Sequence, residues 1–168
     1  MTTEVLAYSL TGNTRRVAGD VAAGLGAQLH EIAAPGPAKP GLWAILRLGF
    51  AAIFHRRSQI TVPPVDWAGA DLLVLATPVW AGRVSVPMRQ WLETGPALPA
   101  RVALVVTSGD PRRPDAVFAE FARLTGRDPV ATLHLGEAAL KGDSYAHAVG
   151  SFVQAICNGD VAADIAAQ

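Results

Sequence analysis

Three runs, residues 4–8, 71–76 and 101–106, are apolar apart from the charged residue that opens each, and each gives way to small and hydroxyl-bearing residues. A strand with no polar face must be covered on both sides, as a central strand of a parallel sheet is. Parallel neighbours need crossover connections, and the intervening sequence supplies helical periodicity. Residues 13–25 place Val17, Ala18, Val21, Ala22 and Leu25 on one stripe, with Arg15, Arg16 and Asp20 opposite. Ser85 caps a helix with Pro87 in its first turn and Met88, Trp91 and Leu92 inward; Pro114 and Asp115 open another with Val117, Phe118, Phe121 and Leu124 inward. Asp143 or Ser144 caps a last helix whose stripe is Tyr145, Val149, Phe152, Val153 and Ile156. Residues 27–32 and 130–135 read as a second, edge, strand and a fifth. The expected fold is a single α/β domain: a doubly wound five-stranded parallel sheet with helices on both faces. A chain of 168 residues suits one such domain.

In these sheets ligands bind outside the carboxyl ends of the strands, where the strand order reverses. Irregular segments at 9–14, 77–83 and 107–111 follow strands one, three and four, which are neighbours in the order 2-1-3-4-5, so the three loops are expected to meet. The first, Ser9-Leu10-Thr11-Gly12-Asn13-Thr14, is laid out as a phosphate cradle. Its glycine allows close backbone approach, its hydroxyls can hydrogen-bond, and the helix start offers N–H groups without partners. It holds no lysine and lacks G-x-x-x-x-G-K-[ST], which disfavours a nucleoside triphosphate with magnesium. The same residues are also ordinary helix caps. In the second loop Trp80 stands among small residues and offers a π-face to a planar ring, with Gly82 leaving peptide groups free to approach its edge. Ser108, Gly109 and Asp110 can hydrogen-bond polar ring atoms from the far side. A phosphorylated planar heterocycle fits; the loops hold no His, Cys or paired carboxylates, so no catalytic side chain is assigned.

Lys and Arg together number 14, as do Asp and Glu, and with no basic stripe nucleic acid is not an expected partner. The one cysteine, Cys157, excludes an internal disulfide and is expected as a small packed hydrophobe. His30, His55, His134 and His147 are scattered, share no i, i+4 pairing suited to zinc, and are read as structural, so no metal site is expected. The start, Met1-Thr2-Thr3-Glu4, lacks the basic and apolar regions of a signal peptide, and the expected location is cytoplasmic.

Residues 33–41, with Pro35, Pro37 and Pro40, read as a connector. After it, residues 42–54 are apolar around nearly a whole helix, broken by Arg47, and the segment closes on His55, Arg56 and Arg57. A bilayer span needs about 20 such residues, so this helical insert, 42–57, is too short to cross. It can pack on the sheet as a core helix, cover a ligand site, pair with a second copy of the chain, or lie on a membrane surface.

The cradle Ser9-Leu10-Thr11-Gly12-Asn13-Thr14, together with Thr77-Pro78-Val79-Trp80-Ala81-Gly82 and Thr107-Ser108-Gly109-Asp110, resembles the flavodoxin family and its relatives over nearly the whole chain. The resemblance implies FMN, with the phosphate on Ser9, Thr11, Gly12, Asn13 and Thr14, the isoalloxazine against Pro78, Val79, Trp80, Ala81 and Gly82, and Ser108, Gly109 and Asp110 beside it. Leu10 and Thr77 complete the cofactor-binding set. Electron-shuttling flavodoxins are typically strongly acidic, whereas this chain is neutral with Arg83 beside the expected ring. The expectation is therefore an FMN-dependent oxidoreductase that takes hydride from NADH or NADPH and passes electrons to a small acceptor such as a quinone. The alternatives are a non-enzymatic electron carrier between protein partners, a membrane-associated quinone-linked oxidase of the protoporphyrinogen oxidase type, and a module of the same fold that binds no flavin.

Overall fold

The structure, a computed structural model, describes residues 1–34, 59–159 and 163–167. Its sheet runs β2 (Gln28–Glu31), β1 (Thr3–Ala7), β3 (Leu72–Trp80), β5 (Val102–Ser108), β6 (Ala131–Gly136), β7 (Ala163–Ala167), all parallel, with β4 (Arg83–Val84) folded antiparallel onto β3. The five expected strands hold the expected order. The sheet itself is larger than expected, seven strands in place of five, because β4 and β7 join it.

Alternation along each central strand sends side chains to two separate cores. Val5, Ala7, Leu72, Val74, Ala76, Ala103, Val105, Leu133 and Leu135 meet helices α1 (Asn13–Leu25), α4 (Glu137–Lys141) and α5 (Ser144–Asn158). Leu6, Tyr8, Leu73, Leu75, Leu104 and Val106 meet α2 (Val86–Glu93) and α3 (Asp115–Thr125), with Trp67 beside them. Runs without a polar face are thus covered twice over. Gly24 lets α1 lie close on α5, since a Cβ there would stand 2.9 Å from a methyl of Val153.

Three local readings need correction. Ser85 stands at the N-cap of α2 but makes no side-chain cap bond; its hydroxyl lies 2.8 Å from that of Thr77. Asp143 likewise precedes α5 without a capping bond. Cys157 is exposed, not packed, because it falls outside the buried stripe of α5.

Ala33 and Thr61 exchange backbone hydrogen bonds of 2.9 and 2.8 Å, an antiparallel bridge between the described segments that end at Ala34 and begin at Gln59. The helical insert expected at 42–57 lies outside the described residues. Among the described residues, no helix is long and apolar enough to cross a membrane.

Candidate functional site

At the carboxyl ends of β1, β3, β5 and β6 an open cleft holds about 520 Å³ of empty space, lined by Leu10, Thr11, Asn13, Thr14, Pro78, Val79, Trp80, Thr107, Ser108, Gly109, Glu137 and Leu140. The three segments singled out in the sequence therefore meet at one place.

The first wall is the start of α1. Gly12, at φ 97°, is the N-cap and offers no side chain, so the first-turn N–H groups have no side-chain acceptor, and no acidic residue stands in that turn. Such an end attracts anions. Ser9 closes the loop from within, its Oγ accepting from the Gly12 N–H at 3.1 Å. Thr14 is buried, and its hydroxyl lies 2.8 Å from that of Thr107, which bolts the helix start to the end of β5.

The second wall departs from the expected loop. β3 continues through Thr77 to Trp80, and Ala81 (φ 48°) and Gly82 (φ 74°) turn it back into β4. Two consecutive positive φ values between paired strands are the signature of a two-residue type I′ hairpin. Trp80 is half-buried on this hairpin, perpendicular to Tyr8 with ring centroids 5.5 Å apart. A perpendicular contact leaves at least one indole face uncovered by Tyr8. Burial pushes the Tyr8 hydroxyl up to about 12, so it stays neutral and uncharged beside the cleft.

The third wall is the turn after β5. Ser108 Oγ donates to the Asp110 carbonyl at 2.5 Å, so its 2.8 Å contact with His134 Nε2 is one in which the ring N–H donates. That fixes the imidazole as its Nε2–H tautomer and leaves Nδ1 buried without a partner. The Asp110 carboxylate faces away onto Arg112, whose side chain holds it at 2.6 to 3.1 Å and lowers its pKa to about 2. Behind the turn, a Cβ on Gly136 would come within 3.1 Å of Pro111 Cα, so β6 sets where this segment stands.

Of the sequence-assigned residues, Leu10, Thr11, Asn13, Thr14, Pro78, Val79, Trp80, Ser108 and Gly109 line the cleft, while Ser9, Gly12, Thr77, Ala81, Gly82 and Asp110 lie outside its lining. Thr77 points into the core, fully buried against Ser85. Thr107, Glu137 and Leu140 were not assigned to the site and do line it. The strand-end rule that located the other loops also applies to the end of β6, where α4 starts at Glu137 and carries Leu140. Among the described residues, no three His, Cys, Asp or Glu side chains gather as a metal-binding set.

His134 also carries a pH expectation. Burial, aided by the Arg113 guanidinium and opposed by Asp110 and Asp164, holds its pKa below the ordinary value. An unfolded chain protonates this residue below about pH 6.5 while the folded chain resists, so stability is lost as pH falls through that window. His134→Gln keeps a side-chain donor but cannot titrate. The melting temperature of the wild type relative to this variant should drop between about pH 7.5 and 5.5. A constant difference would refute the linkage.

No family model matches the chain, and no curated protein matches it in sequence. Solved structures do. A flavoprotein from Lactobacillus acidophilus NCFM, crystallised in complex with FMN, is 19% identical at a TM-score of 0.65, with 83% of this chain and 96% of that one covered. A flavodoxin, WrbA-like protein from Agrobacterium tumefaciens is 16% identical at 0.56, covering 94% and 98%. An NADH:FMN oxidoreductase in its apo form is 15% identical at 0.57, covering 92% and 87%. At such identities the likeness is one of fold.

Proposed function

We propose, from the flavodoxin-like fold that these likenesses show, that this chain binds FMN in the cleft and acts as an oxidoreductase, taking hydride from NADH or NADPH and passing electrons to a small acceptor such as a quinone. The observation that carries the reading is the meeting, on one rim, of an uncapped helix start with an aromatic wall. One suits a phosphate and the other a flat ring. The FMN-bound flavoprotein and the NADH:FMN oxidoreductase among the structural neighbours support it.

When bound, FMN supplies the redox chemistry, and the protein's part is to hold it, orient it and keep water away. The first-turn N–H groups of α1, with Thr11 and Asn13, suit the phosphate. Pro78, Val79 and Trp80 on one side and Ser108 and Gly109 on the other suit the ring. Because the Ser108 proton is given to the Asp110 carbonyl, that hydroxyl can only accept from a ligand, which favours a ring N–H opposite it.

The test is titration of the purified protein with FMN, followed by anaerobic addition of NADH or NADPH and a soluble quinone. A bound flavin spectrum, its bleaching by the nicotinamide and turnover above that of free FMN are expected. Absence of any bound spectrum overturns the cofactor assignment. Bound flavin without such turnover overturns the enzyme and leaves the electron carrier.

A further inference from the structure

Among the described residues, Glu120 is the one acidic side chain that is buried, and it sits in α3 on the face turned to the hairpin. A buried carboxylate is costly unless its oxygens are met, so the partners it has indicate what it does. Oε2 accepts from the Val84 N–H at 2.9 Å. In a two-residue hairpin the strand pair next to the closing pair directs its N–H groups outward, and Val84, opposite Val79, is in that position. Glu120 thus stands where a further strand would pair with β4. Oε1 is buried and accepts no hydrogen bond, with Arg89 Nη1 at 3.6 Å and Arg83 Nη1 at 3.8 Å. Arg83 is itself part of the hairpin and pairs with Trp80. One carboxylate therefore ties β4 to α3 by a backbone bond and by charge, and Trp80 lies directly across the two-residue turn from Arg83.

We propose that Glu120 is a positioning residue for the cleft: it fixes the β3–β4 hairpin against α3 and thereby sets where the Trp80 indole stands. The proposal rests on the reading that this cleft takes a planar ring. Glu120 touches no ligand itself; it acts through Val84, Arg83 and the turn between them.

The experiment compares wild type with Glu120→Ala and Glu120→Gln by amide exchange at Val84, the Trp80 indole N–H resonance and FMN titration. Glu120→Ala should lose Val84 protection, shift the Trp80 resonance and weaken FMN by about tenfold or more. Glu120→Gln keeps an acceptor for Val84 and should restore the protection and most of the affinity. A folded Glu120→Ala protein with Val84 protection and the Trp80 resonance unchanged overturns the proposal, as does a shifted resonance with unchanged affinity. If the alanine variant fails to fold, loss of Val84 protection in Glu120→Gln overturns it. If wild type itself binds no FMN, the cofactor assignment fails, and the exchange and resonance measurements still decide what Glu120 does.

Discussion

Trp80→Ala is expected to weaken FMN binding by about 1–3 kcal/mol, the range for a base stacked on an aromatic side chain, or roughly 5- to 150-fold in Kd. The indole lines the cleft, and its perpendicular contact with Tyr8 leaves a face uncovered by that ring. Trp80→Phe should fall between the two, since a smaller ring keeps the stacking face and loses area. The measurement is flavin fluorescence quenching in a titration at fixed pH and salt. An unchanged Kd for the alanine variant would place the ring of any bound flavin elsewhere, while a loss equally large in Trp80→Phe would point to disrupted packing on Tyr8 in place of lost stacking.

The largest stability loss is expected for Phe152→Ala, about 3–5 kcal/mol. Phe152 is fully buried in the core that joins α1, α5 and the α1-facing side of β6. Its removal leaves a cavity beneath two helices that already touch through Gly24, which limits how far they can close over it. Urea denaturation should show a lower midpoint at an unchanged slope, and the thermal midpoint should fall by roughly 6–20 °C. A loss below about 1 kcal/mol would mean that α5 repacks, against the close contact of Gly24 with Val153.

What could be read in advance follows from where periodicity lives. Leu72 to Ala76 and Val102 to Val106 announce double-sided burial residue by residue, and the stripes of α1, α2, α3 and α5 announce which face each helix turns inward. From these follow which strands are central; the meeting of their loops follows from the order 2-1-3-4-5 of a doubly wound sheet. The hairpin is hidden in the sequence because its turn is Ala-Gly and not Asn-Gly, and because a proline reads as the end of a strand, although Pro78 pairs with Thr107 inside the sheet. β7 was hidden for a different reason. Its alanine-rich sequence has little strand preference, and its pairing with β6 overrides that weak local tendency. Cys157 departs from the expectation because a cysteine on an amphipathic helix goes where its position sends it, and that position faces solvent. Nothing in the sequence distinguishes Glu120 or His134 from neighbours of the same type; each acquires its role from a residue 36 or 26 positions away.

The bridge between Ala33 and Thr61 clasps the stretch just after β2 to the stretch that leads toward β3. Closing a loop between two points held together in this way grows harder only slowly with the number of residues inside it. The number of residues between Ala33 and Thr61 can therefore change at small cost, while the register of β1 against β2 and β3 is held by pairings outside that loop.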